Sequence, residues 1–134
     1  MSKFMLEIVT PDRKFFEDEI DMVIVRGREG DLGILRGHTP LVTPLDIGRI
    51  KIKQNGEFKE AAIAGGYVEI AEGKTTIITD SAEWPGEIDI NRAKEAKKRA
   101  EERIHKKTHS EIDIFRAEMA LRKALNRINV AGRD

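Results

Sequence analysis

The apolar residues of this chain change their repeat near residue 84. Upstream they recur at every second position; downstream they recur at every third or fourth. A two-residue repeat sorts side chains to opposite faces of a strand, and a three-to-four repeat gathers them on one face of a helix. The two periods cannot share one element. The chain therefore reads as a strand-rich part followed by a helical part, with Trp84-Pro85-Gly86 as the breaker between them.

Phe4, Leu6 and Ile8 alternate with polar or opposite-face residues, and Pro11-Asp12 makes a turn. Ile20, Met22 and Ile24 repeat the alternation on one face, with Val23 and Val25 on the other. Gly27 to Gly33 reads as a glycine-rich connection. Arg49, Lys51 and Lys53 alternate with Ile50 and Ile52, and Asn55-Gly56 follows at once. Asn-Gly between two alternating runs is a strong hairpin signal, because both turn positions require positive φ. Glu57–Ala64 is the return strand, and Tyr67–Ala71 and Thr75–Thr79 continue the pattern beyond Gly65-Gly66 and the turn at Glu72-Gly73. Short strands at regular spacing predict an antiparallel sandwich or barrel.

Downstream, Asp89 is placed to cap a helix running to about His105, with a thin stripe of Ile90, Ala93, Ala96, Ala100 and Ile104. After a polar connection over 106–109, Ser110 and Asp113 resemble a capping box that opens a second helix. Its stripe is Ile114, Ala117, Leu121, Ala124 and Ile128. Two helices joined so closely run antiparallel. The facing side chains are largely alanines. Each buried methyl contributes on the order of 0.8 kcal/mol, against roughly 1–2 kcal/mol of backbone entropy per ordered residue. Such a seam has little stability to spare. It suits either a helical cap on the sandwich or an element that opens at low cost.

The net charge of zero conceals two opposed blocks. Residues 88–134 carry 13 Lys+Arg against 8 Asp+Glu, and residues 1–87 carry 11 against 16. A basic helical block is either a solvated face or a site for an acidic partner or a phosphate. The absence of cysteine excludes disulfides, thiolate metal sites and a cysteine nucleophile. No apolar run approaches the roughly 20 residues of a membrane span, and the first residues lack a signal-peptide pattern. A cytoplasmic location and no direct membrane insertion are expected.

Gly73-Lys74-Thr75 is not a P-loop, because Val68 stands where the first glycine should be and the tripeptide lies between two strands. His105 and His109 have the spacing of two metal ligands but lack a third, so no metal site is expected. No catalytic constellation can be assembled. The strands carry no aromatic platform for nucleic acid and their block is acidic, so no nucleic-acid partner is expected.

Several segments resemble one known family. GDLGILRGHTPL at Gly30–Leu41 is similar to the G-x-L-G-I-x-P-G-H-x-P-L signature of ATP synthase epsilon subunits. AIAGGYVEI at Ala62–Ile70 resembles that family's glycine-paired strand, and IDINRA at Ile88–Ala93 its I/L-D-x-x-R-A motif. RAEMALRKALNRI at Arg116–Ile128 resembles its final helix, and LEIVTPDR its first strand and turn. The likeness runs along essentially the whole chain in one order.

The resemblance implies an antiparallel sandwich of about ten strands over residues 1–84 and a regulatory two-helix hairpin over 88–134. It implies a non-catalytic rotor subunit, peripheral on the cytoplasmic face of the cell membrane, that couples proton flow to ATP synthesis. The expected partners are the gamma subunit and the ring of c subunits, with the beta and alpha subunits joining when the hairpin extends and inhibits hydrolysis. No cofactor is required. ATP, with or without Mg2+, is expected as a regulatory ligand of the folded hairpin, on Glu83, Asp89, Arg92, Arg99, Lys123 and Arg127, with further charge from Arg116 and Arg122. Lys123 stands where nucleotide-binding members have arginine, which implies weaker affinity. Asp89 also reads as an N-cap alone. In the loop implied to face the c-ring, Asp31 matches an acidic contact, with His38 and Leu41 beside it. His38 also reads as a turn residue. Arg36 departs from the family's proline there. A stand-alone ATP-sensing module and an enzyme with an unrecognised site are the alternatives.

Overall fold

The computed structural model describes residues 2–106 and 110–132. Two compact units divide between Glu83 and Trp84. The first contains eight strands among the described residues: β1 (Phe4–Val9), β2 (Lys14–Ile20), β3 (Met22–Gly27), β4 (Gly30–Ile34), β5 (Leu41–Gln54), β6 (Glu57–Ala71), β7 (Lys74–Ile78) and β8 (Ala82–Glu83). Their order is β2-β1-β7-β6-β5-β3-β4, with β8 on β6. All pairs are antiparallel except β1 with β7.

The sheet returns on itself. β2 stands at one end of the strand order, yet Gln54 at the end of β5 donates from Nε2 to the Glu19 carbonyl at 2.9 Å. The amide of Asp21 donates to the Lys53 carbonyl at 2.8 Å. That closure makes a sandwich with one apolar interior. Phe4, Leu6 and Ile8 of β1 point into it, with Ile50 and Ile52 of β5, Val68 and Ile70 of β6 and Ile77 of β7. Each fully buried aliphatic side chain stabilises the fold by about 1.5–3 kcal/mol.

The β5–β6 hairpin forms as its sequence predicts. Asn55 and Gly56 take φ of 54° and 82°, the two positive values that a type I′ turn needs. The two faces of β3 fall as the alternation predicts, with Val23 and Val25 on the core side and Met22 and Ile24 half-buried on the other. Other sequence expectations are corrected. Asp21 separates β2 from β3, so Ile20 belongs to a different strand. The glycine-rich stretch 27–33 is not a connection throughout, because Gly30–Ile34 pairs with β3 as β4. Tyr67–Ala71, read as a continuation beyond Gly65-Gly66, is one strand with Glu57–Ala64, because β6 runs unbroken through the two glycines. Gly65 and Gly66 absorb the bend with φ of 81° and 105°. A Cβ on Gly66 would collide with the Ile78 carbonyl oxygen of β7.

The second unit opens on a 3-10 turn, Pro85–Glu87, closed by the Trp84 amide donating to Glu87 Oε1 at 3.0 Å. It continues as α1 (Ile90–His105) and α2 (Glu111–Ala131), packed on each other. Asp89 and Ser110 cap them, accepting from the amides of Arg92 and Asp113 at 3.1 and 3.2 Å. Ala93, Ala100, Ala117 and Ala124 form the buried seam. Ile90 is 40% exposed and lies outside it. Lys107, Thr108 and His109 of the expected connection lie outside the described residues.

Candidate functional site

The hairpin's basic residues are sorted by helix geometry. Each residue advances about 100° around the axis. Measured from the buried alanines, Arg92 and Arg99 stand about 100–120° to one side of α1. Arg116, Lys123 and Arg127 stand about 60–120° to the same rotational side of α2. Because the helices run in opposite directions, equal offsets fall on one side of the hairpin. Ala93 and Ala100 are seven residues apart, as are Ala117 and Ala124, so the seam matches when Ala100 meets Ala117 and Ala93 meets Ala124. That register sets Arg92 level with Lys123 and Arg127, and Arg99 level with Arg116.

One flank of the hairpin is thus a cationic strip contributed by both helices. Arg103, four residues beyond Arg99, belongs to it and is absent from the sequence-based set; its helical spacing from Arg92 and Arg99 is the signal that finds it. Arg122 falls on the far side of α2 and is not brought to the strip. Arg92, Arg99, Arg103, Arg116 and Lys123 are exposed and Arg127 is half-buried. Asp89 is held at the start of α1 by its capping bond through Oδ1, and Oδ2 has no partner among the described residues. The strip can take a polyanion along its length, with forked guanidinium donors on phosphate oxygens. Glu83 closes β8 in the sandwich unit.

At one end of the sandwich lie the other candidates. Asp31 is a strand residue of β4 rather than a loop residue, paired through Oδ1 with Arg26 Nε at 2.6 Å. Leu41 opens β5. Asp31 and Leu41 share a groove of ≈ 510 Å³ with Pro44 and the β3–β4 turn. His38 alone of the three is in a loop, where its Nδ1 lies 2.8 Å from the Thr39 carbonyl oxygen. It lines a separate groove of ≈ 440 Å³ with Arg36, Glu72 and Lys74. Leu35 and Val42 at this end are 56% and 65% exposed, which the sequence pattern does not signal. Lys74, in the tripeptide that superficially suggests a P-loop, is ion-paired with Glu7 at 3.0 Å. Among the described residues no helix is long and apolar enough to cross a membrane.

Comparison with known proteins agrees with this architecture. Residues 3–85 match the beta-sandwich domain of the ATP synthase delta/epsilon chain, and residues 87–132 match its long alpha-helix domain. The chain is 57% identical over 129 residues to the ATP synthase epsilon chain of Alkaliphilus metalliredigens, covering 96% of each. It is 44% identical to that of Halalkalibacterium halodurans, over 99% of this chain and 100% of the relative. A chain of the Euglena gracilis mitochondrial ATP synthase shares the fold, with a TM-score of 0.81 at 22% identity over 94% of this chain and 79% of the other. Both units and nearly every residue are accounted for by one lineage, and the chain belongs to the ATP synthase delta/epsilon chain family.

Proposed function

We propose that this chain is the non-catalytic epsilon subunit in the central stalk of an F-type ATP synthase, peripheral on the cytoplasmic face of the membrane, and that its hairpin is an ATP-biased brake on hydrolysis. The sandwich meets the gamma subunit and the c-ring, with Asp31, His38 and Leu41 at the ring. The hairpin, folded, binds ATP; extended, it reaches the beta and alpha subunits and blocks hydrolysis. The observation that carries this reading is the cationic strip shared between α1 and α2. Extension separates its two halves, so a polyphosphate spanning them favours the folded form alone. A ligand shifts an equilibrium only through such a difference in affinity. At a free concentration about 100 times its dissociation constant, ATP favours the folded hairpin by about 2.7 kcal/mol.

The ligand set is Asp89, Arg92, Arg99, Lys123 and Arg127, with Glu83 added from the family resemblance alone. Asp89 Oδ2 is available to accept from the adenine amino group while Oδ1 caps the helix. Calorimetric titration of the full chain with ATP, with and without Mg2+, tests the site. Arg92→Ala should weaken binding about tenfold, the loss expected for one charge-assisted hydrogen bond, and Arg122→Ala should leave it unchanged. Equal affinity of wild type and the Arg92→Ala, Arg99→Ala double variant would remove the strip from ligand binding.

A further inference from the structure

We infer that Arg36 is a partner-facing residue that engages a carboxylate on a loop of the c-ring, setting which ring this chain fits. The inference rests on the reading of the sandwich end as the ring contact. It begins from backbone geometry. The His38 amide donates to the Leu35 carbonyl at 3.2 Å, and Gly37 has φ of 82°. An i to i+3 bond with positive φ at the third residue is a type II turn, with Arg36 at its second position. Proline is favoured there, because its ring presets the required φ.

Arginine therefore gives up stability that proline would supply, and this chain shows no internal return for it. Arg36 is exposed and forms no ion pair or side-chain hydrogen bond with any described residue. Glu72 lines the same groove without pairing with it. Leu35, in the same turn, and Leu41 and Val42, at the start of β5, are large apolar residues left exposed at 56%, 39% and 65%. Lys74 in the same groove is ion-paired with Glu7. Arg36, without an ion pair among the described residues and beside uncovered aliphatic side chains, fits a protein loop that presents one carboxylate beside apolar contacts. An anionic lipid surface is recruited by clusters of several basic residues, and Asp31 at the same end would be repelled by it.

The test uses the full chain and the detergent-solubilised gamma–c-ring assembly. Arg36→Pro should raise the melting temperature of the free chain and weaken binding to the assembly about tenfold. Arg36→Lys, which keeps the charge, should retain most of the affinity. Arg36→Pro that melts lower than wild type would overturn the turn argument. Arg36→Pro that binds as tightly as wild type, while Asp31→Asn binds less tightly, would overturn the role of Arg36 and leave the ring contact standing. Failure of the wild-type chain to bind the assembly would overturn both.

Discussion

Replacing Gly66 by alanine should cripple the sandwich. Gly66 sits inside β6 opposite Leu45 of β5, with φ of 105°. An L side chain rarely adopts that conformation, and holding one there costs on the order of 1–3 kcal/mol. The added methyl would also strike the Ile78 carbonyl oxygen and approach Thr79 Cα to 2.8 Å. Those are backbone atoms of β7 and the residue after it, and they cannot rotate away, so overpacking adds roughly another 1–3 kcal/mol. A total near 4 kcal/mol lowers the melting temperature of a domain this size by about 15 °C or more. Gly33→Ala is the control: Gly33 has ordinary φ, and a methyl added there would meet no atom within 4 Å. Urea and thermal unfolding of both variants, followed by circular dichroism, give the comparison. Equal losses for Gly66→Ala and Gly33→Ala would refute the argument that the β6 bend depends on a missing side chain.

Acid sensitivity should trace in part to Glu7. Its carboxylate is held by Lys74 and Lys14 at 3.0 and 3.1 Å, which keep its pKa below the ordinary 4.5. A depressed folded value contributes stability that is present above 4.5 and lost as pH falls through the folded value. Glu7→Gln should therefore lose less stability than wild type between about pH 5 and pH 3 in denaturant titrations; parallel curves would contradict this. Ala100→Leu should open the hairpin, because overpacking costs about 1–3 kcal/mol and the alanine seam holds little more. Loss of α1–α2 contacts in NMR spectra, with ATP affinity falling alongside, is the expected result, and an unchanged spectrum would show that the seam tolerates bulk.

Much of this was legible in the residues themselves. Alternation located β1, Asn55-Gly56 located the long hairpin, and Asp89 and Ser110 marked both helix starts, because each signal acts over a few neighbouring positions. What escaped depends on residues far apart in sequence. Val23 and Val25 face the core because β3 pairs with β5, a choice local alternation between two apolar faces cannot make. β4 is hidden by glycines that look like a connection until β3 pairs with them. The need for glycine at position 66 comes from β7. Within the hairpin, spacing alone can find Arg92, Arg99 and Arg103, whereas excluding Arg122 requires knowing which face the alanines bury. The ligand itself is named by family resemblance, not by composition or spacing.

The regulatory role of the hairpin is tested most directly by ATP hydrolysis in the reconstituted synthase. Complexes carrying the full chain and a chain lacking residues 88–134 are compared at ATP concentrations well below and well above the dissociation constant of the isolated chain. The truncated complex should hydrolyse ATP faster at low ATP, and the difference should shrink at high ATP as the ligand holds the full hairpin folded. Equal rates at low ATP would contradict the account and leave the hairpin with a structural role only.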